Sequence, residues 1–351
     1  MKKKKFVLHV IDSISGGGAE KIVRDLVKKN NSKINFLQDY YELSPHKFSI
    51  IKFIIRTFYL FKRIKFLKKK GYQIIFHAHL TKAIYLSAFA RLYKCKIVIT
   101  EHNTWNKRRK FKFLIPFEYY IYHNAEFVIS ISNAVKDNLL KWLRNKNTDN
   151  TKFKVIYNGI SDNYIKSKKK ILENKKVVKL LIVGSLTHQK GIDLSLNLLR
   201  NLKFENWTCN IVGDGPEKQN LIKLTKKFNL ENRVQYKGYI ENINDIYSDS
   251  DILLITSRWE GFGLVAVEAL LAGLVILWSK VPGLNEVLES CDTAIKFDLL
   301  DQTDFEKSLK LAINKLKNQP FTSEKSHKHG LLFSTDRMAK GYNTIYQGIQ
   351  N

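Results

Sequence analysis

A chain of 351 residues, 44% hydrophobic and 12% aromatic, is long for one core, ample for two, and too apolar to be a disordered chain. Its three cysteines, Cys95, Cys209 and Cys291, lie far apart with no CxxC, which argues against a disulfide or zinc framework and for buried or idle thiols in a reducing compartment. The net charge of +28 is lopsided: residues 1–170 hold 37 of the 60 Lys and Arg against 11 Asp and Glu. Two domains with different partners are therefore expected, the basic one facing nucleic acid, anionic lipid or a phosphorylated substrate.

Behind the leading lysines, the apolar run Phe6–Ile11 is cut off by Asp12 and is short for a signal-peptide core of ~7–15 residues. KFVLHVI (5–11) reads better as a buried first strand. No uncharged stretch reaches the ~18 residues that span a bilayer, so a cytosolic or peripheral protein is expected. SISGGGAEK then turns into an amphipathic helix. Its three glycines let backbone N–H groups approach an anion at a positive helix end, although the spacing fits neither GxGxxG nor GxxxxGK[ST].

Residues 48–70, FSIIKFIIRTFYLFKRIKFLKKK, interleave large apolar side chains with cations. On a helix, Lys52, Arg56 and Arg63 share one broad face, while Ile51, Ile54, Ile55, Phe58 and Phe61 cover much of the rest. That is the composition of an interfacial helix on anionic lipid, or of a core helix with solvated lysines. QIIFHAH (73–79) and KIVIT (96–100) are short β-branched strands. WNKRRKFKFLIPFEYY (105–120) is a second basic and aromatic segment. EFVISIS (126–132) precedes a helix from about Asn133, and KVIYNGI (154–160) ends in an Asn-Gly turn.

Residues 162–176 are polar, charged and without period, as an interdomain linker would be. The alternation then restarts with VKLLIVG (178–184), a helix from about Gly191, NWTCNIVGDG (206–215), another helix and RVQYKGY (233–239). DILLITS (251–257), a helix after Gly263 and LVILW (274–278) follow. Strand–helix alternation with short connections predicts an α/β protein of two Rossmann-like domains with parallel sheets facing across a cleft. The domains fall at 1–165 and 177–333, with a C-terminal helix (334–351) expected to pack back on the first.

The chemistry concentrates at the strand ends of the second half. In VGSLTHQKG (183–191), Lys190 adds positive charge where a helix dipole favours an anion, and VGDGP (212–216) is another glycine-rich turn. In TSRWEGFGLVAVEALLAG (256–273), a helix starting near Gly263 would offer the N–H groups of Phe262, Gly263 and Leu264 to an anion. Two carboxylates aimed at that anion would repel it. Glu260 and Glu268 make sense as acceptors for hydroxyls on either side, a sugar and a ribose. DSD (249–251) precedes its strand, so its carboxylates are placed as a helix-to-strand turn and no metal site is expected.

EGFGLVAVE resembles the E-x7-E signature of retaining family 4 glycosyltransferases, which have the GT-B fold. The resemblance extends in order through GGGAEK, TEHN (100–103), ISNAV (131–135), VIYNGI (155–160), GSLTHQKG, VGDGP and VPGLNEVL (281–288). It implies a hexosyltransferase-type, metal-independent enzyme without cofactor, moving a sugar from a nucleotide-sugar (UDP being the common base) to a lipid-linked or cell-surface glycan. By position, Glu268 would bind the donor ribose, Glu260 a hydroxyl of the transferred sugar, and Lys190 the leaving diphosphate. Backbone at Phe262, Gly263 and Leu264 would lie near the phosphates, backbone at Tyr239 and Ile240 at the base, and Gly17 and Gly18 would approach the donor from the first domain. His102 would contact the sugar rather than act as a general base, because retention is explained by front-face attack with a leaving phosphate oxygen taking the acceptor proton. Ser185 stands where the family commonly has arginine, which leaves the diphosphate one cation short unless another arginine, such as Arg258, compensates.

The basic and aromatic composition of 48–70 and 105–120 points to anionic lipid as their partner, and so to a place on the inner face of the cell membrane where a lipid-linked acceptor would be reached. The competing readings are an epimerase or phosphorylase of the same fold and, from charge alone, a nucleic-acid binder. The latter lacks any recognisable binding module, and no nucleic-acid partner is expected.

Overall fold

In the computed structural model the described residues are 4–13, 17–30, 37–43, 50–144, 151–161, 177–204, 206–317 and 321–350. The linker expected at 162–176 lies outside them, as do the first residues of the glycine turn. The chain divides into two compact units, residues 1–161 with 335–351, and residues 162–334.

The first unit runs β1 (Lys5–Ile11), α1 (Gly18–Asn30), β2 (Leu37–Glu42), α2 (Ile50–Lys69), β3 (Gln73–His79), α3 (Leu80–Leu92), β4 (Lys96–Glu101), α4 (Ile115–His123), β5 (Phe127–Ser130), α5 (Asn133–Trp142) and β6 (Phe153–Val155). Its six strands form a parallel sheet in the order β2-β1-β3-β4-β5-β6. The central strands β1, β3 and β4 are buried on both faces, as a sheet covered by helices on each side requires. Ser132 caps α5 with its hydroxyl, which accepts from the Val135 N–H at 3.1 Å.

The second unit repeats the plan with β7 (Val178–Val183), α6 (Ile192–Arg200), β8 (Trp207–Val212), α7 (Lys218–Lys227), β9 (Val234–Gly238), α8 (Asn244–Asp249), β10 (Ile252–Ile255), α9 (Leu264–Leu271), β11 (Val275–Ser279), α10 (Pro282–Leu288), β12 (Ala294–Phe297), α11 (Gln302–Lys317) and α12 (Phe321–Gly330). Its parallel order is β12-β11-β10-β7-β8-β9. Two Rossmann-like sheets are thus present, as the strand–helix alternation predicts. Two strands escape that reading, β2 (LQDYYE) and β12 (AIKF). Both are edge strands, paired on one side only, and their mixed polarity reflects partial exposure.

The last helix, α13 (Thr335–Gly348), belongs to the first unit. Tyr342 and Tyr346 are fully buried, the Tyr346 hydroxyl bonds His77 Nδ1 at 2.6 Å, and Lys5 donates to the Tyr346 and Gln347 carbonyls. Among the described residues, no helix is long and apolar enough to cross a membrane.

Candidate active site

The second sheet reverses its order between β7 and β10, and the loops leaving these two strands flank that switch point, where open α/β sheets bind ligands. Glycines let the loops close on one another. A side chain at Gly213 (φ +140°) would meet the Gly184 carbonyl oxygen at 1.9 Å, and one at Gly191 (φ +60°) would meet the Thr256 carbonyl oxygen at 2.1 Å. The close approach puts Lys190, from the β7 loop, beside Glu260, from the β10 loop.

Lys190 Nζ donates to Glu260 Oε1 at 2.6 Å, so the residues assigned separately to diphosphate and sugar meet here as one ion pair. The Ser257 hydroxyl donates to the same carboxylate oxygen at 2.7 Å, and Glu260 is buried. Behind it, a side chain at Gly283 would lie 2.1 Å from the Glu260 carbonyl oxygen, so the PG turn of VPGLNEVL backs the Glu260 main chain. Gly263 adopts the left-handed conformation (φ +87°) at the start of α9, with Leu264 its first helical residue. The Phe262 ring is buried edge-on against Phe333, so that side chain is core and only its backbone is available to a ligand.

Glu268 lies one turn into α9 and accepts from the Tyr247 hydroxyl at 2.9 Å. Burial, and then Glu268 itself, push that phenol well above its ordinary value, so it stays a donor. Tyr247 and Ser257 were not singled out from sequence. A tyrosine 21 positions upstream on another helix leaves no trace in the local pattern. Tyr239, 68% exposed, and Ile240 follow β9 at the same end of the sheet, and Ser185 is exposed after β7.

Arg258, the sequence candidate to compensate for Ser185, is tied to Asp193 in this structure. It pairs with Asp193 through both terminal nitrogens (2.9 and 2.6 Å) and donates to the His188 carbonyl. Burial would raise the Asp193 carboxyl, but Arg258 outweighs it and holds it below the usual range. In DSD, Asp249 pairs with Lys179 Nζ and Asp251 accepts from the Lys179 N–H, which ties the start of β10 to β7.

In the first unit, Gly17 precedes α1 and Gly18 is its first residue. The space over Gly17 is taken by the Glu20 carboxylate, 2.1 Å from where a side chain on Gly17 would begin. His102 follows β4 and is buried, with Nε2 3.1 Å from His79 Nδ1. Next to it, Glu101 accepts from Tyr122 and Asn106 and pairs with Arg108 at 2.6 Å, while Arg108 also pairs with Glu118 at 3.0 Å. This buried network pins the basic segment 105–120 to the end of β4.

Two α/β units of this topology, with a partly buried lysine–glutamate pair at the switch point of the second, define a glycosyltransferase-type architecture. The comparisons agree for each unit. The Glycosyltransferase Family 4 model matches residues 31–164 and the Glycosyl transferases group 1 model residues 163–329. Each half of the chain thus matches a glycosyltransferase model, and the protein is an enzyme of the glycosyltransferase class. A similar relative is the O-antigen biosynthesis glycosyltransferase WclY of Escherichia coli, 28% identical with 93% of each chain covered. Another is the amylovoran biosynthesis glycosyltransferase AmsD of Erwinia amylovora, 28% identical over 75% of this chain and 77% of that one. Among solved structures, Anabaena Alr3699/HepE in complex with UDP and glucose superposes with a TM-score of 0.80 at 19% identity, covering 98% of this chain and 99% of that one.

Proposed function

We propose that the protein is a retaining glycosyltransferase that moves a sugar from a UDP-sugar to a lipid-linked or cell-surface glycan, without a metal ion. The observation that carries this reading is the Lys190–Glu260 pair at the switch point of the second sheet, eight residues ahead of a Glu268 carboxylate oriented by Tyr247. Support comes from the names of the relatives, O-antigen and amylovoran biosynthesis, and from the UDP and glucose in the Anabaena structure.

On this reading the second unit holds the donor. Glu268 accepts from ribose hydroxyls and Glu260 from a sugar hydroxyl. The Lys190 ammonium, shared with Glu260 before the donor arrives, turns to the diphosphate as negative charge develops on it. The acceptor hydroxyl oxygen bonds the anomeric carbon as the bond to the diphosphate oxygen breaks, and its proton passes to the departing phosphate. His102 serves by contact with a hydroxyl, not as a base.

The acceptor side belongs to the first unit, whose helix α2 leaves Ile50, Ile51, Ile54, Ile55, Phe58 and Phe66 exposed. Segment 105–120 leaves Trp105, Phe111, Phe113, Phe117, Tyr119 and Tyr120 exposed among its cations. Both segments suit the surface of an anionic bilayer, where a lipid-linked acceptor would be met on the cytoplasmic side.

The test is a thermal-shift panel of nucleotide-sugars, in which the cognate donor raises Tm in proportion to ln(1 + [L]/Kd). Glu268→Ala should then weaken donor binding about tenfold or more, the cost of a lost charged hydrogen bond. Glu260→Ala should mainly lower turnover, and the product anomer should keep the donor's configuration. Wild-type activity in both variants would refute the site.

A further inference from the structure

Among the described residues, the first unit contains four buried histidines on neighbouring strands: His9 on β1, His77 and His79 on β3, and His102 just after β4. Three of them form a continuous chain. Gln38 Oε1, on β2, lies 3.0 Å from His9 Nε2; His9 Nδ1 lies 3.0 Å from His79 Nε2; His79 Nδ1 lies 3.1 Å from His102 Nε2. His102 Nδ1, the outer end, is buried and has no hydrogen-bond partner among the described residues.

A neutral imidazole has one N–H and one lone pair, so single hydrogen bonds through a row of them must all run the same way. The direction is set at the inner end. In the orientation of the Gln38 amide seen here, with Oε1 towards His9 and Nε2 buried without a partner among the described residues, the oxygen accepts, which makes His9 Nε2 a donor and His9 Nδ1 an acceptor. His79 must then donate from Nε2 and accept at Nδ1, and His102 must donate from Nε2. Its Nδ1 is left as a lone pair. Local geometry serves this arrangement. His79 occupies the cap position of α3 in extended conformation without capping the helix, and Leu80 turns the chain in the left-handed region (φ +65°). That conformation costs a leucine roughly 1–2 kcal/mol.

Nitrogens of His9, His77 and His79 lie within 4.8 Å of one another, the spacing of a metal-binding trio. Both nitrogens of His77 are taken, however, by the Tyr346 and Thr100 hydroxyls at 2.6 and 2.7 Å. Those of His9 and His79 are used along the chain. The hydrogen bonds account for the whole cluster without an ion.

We propose that Gln38, His9 and His79 are positioning residues that lock His102 in its Nε2–H tautomer and present Nδ1 as a bare acceptor for a substrate hydroxyl. The substrate half of this proposal rests on the proposed transferase function. The tautomer half does not.

The experiment is a long-range proton–nitrogen correlation spectrum of the full chain labelled with ¹⁵N-histidine, which separates protonated from bare ring nitrogens. His102 should show a single tautomer with a bare Nδ1. Gln38→Leu, which removes the terminal acceptor, should give a mixture of tautomers and lower kcat about tenfold with the donor KM unchanged, the scale seen for orienting partners. Gln38→Glu keeps an accepting oxygen and should restore both readouts. A protonated Nδ1 in the wild-type spectrum overturns the proposal even if Gln38→Leu does not fold, and so does an unchanged His102 tautomer in a folded Gln38→Leu. A stoichiometric shift of the His9 and His79 resonances with zinc overturns it in favour of a metal site. His102→Ala with full turnover, in a protein whose Glu260→Ala variant is inactive, overturns the substrate half alone. Full turnover in both instead refutes the site proposed for the transferase.

Discussion

His9 and His102 are held down to about 4 by burial, against an ordinary 6.5, and burial pushes His77 and His79 well below that value too. A histidine lowered on folding takes its proton first in the unfolded chain. The stability it allows is therefore intact above 6.5 and drains away as the pH falls towards 4. For one such histidine the loss at full protonation is about 3 kcal/mol. Glu101 works in the same direction. Burial alone would raise it, but Arg108 and then Arg109 hold it below the usual carboxylate range, so its contribution is lost on acidification through that range. Calorimetry across a pH series should show a level Tm above neutrality and a steady fall for the first unit as the medium becomes mildly acidic. A level Tm through the acid range would contradict four neutral buried imidazoles. None of this is legible residue by residue, because the sequence shows His9, His79 and His102 as separate histidines and only the parallel register makes them neighbours.

At the scale of elements, the loops after β7, β8 and β10 were readable as glycine-rich turns at strand ends, and the reason for their glycines is now specific. Gly213 faces the Gly184 carbonyl at a distance no side chain tolerates, whereas Gly71, also left-handed at φ +86°, has nothing within 4 Å. Gly71→Ala should therefore cost only the conformational term, about 1 kcal/mol. Gly213→Ala should cost clearly more, and it should also abolish the thermal shift produced by donor, because it forces the β7 and β8 loops apart. Urea unfolding with and without nucleotide-sugar measures both effects. Equal costs at the two positions would show that the β7 and β8 loops can separate freely. Helix α2 corrects the sequence reading in a different way. Arg56 donates to the Glu42 carbonyl and Arg63 pairs with Asp39, so two of the three cations expected on a lipid-facing surface are ties to β2. Phe61 stacks on Tyr93 at 4.8 Å. What α2 leaves exposed is chiefly apolar.

For the whole molecule, the excess of positive charge in 1–170 and these exposed apolar side chains occur in the same unit. Binding to anionic vesicles should draw on both terms, with a salt-sensitive electrostatic part and a salt-resistant apolar part. Ile51→Ser with Phe58→Ser should reduce co-sedimentation with phosphatidylserine-containing vesicles at high salt while leaving Tm unchanged, since both side chains are already more than half exposed. Undiminished binding by this double variant would show that the exposed apolar face of α2 takes no part in vesicle binding.

The sequence by itself determined the alternation of buried strands and helices, the doubling of that pattern and the spacing of Glu260 and Glu268, because periodicity and turn chemistry are local properties of the chain. Only the tertiary structure decided that Lys190 meets Glu260, that Arg258 is committed to Asp193, that Tyr247 orients Glu268, and that four histidines share one interior. Those partnerships depend on strand order and on how closely glycine lets two loops approach, and neither is written within any single stretch of the sequence.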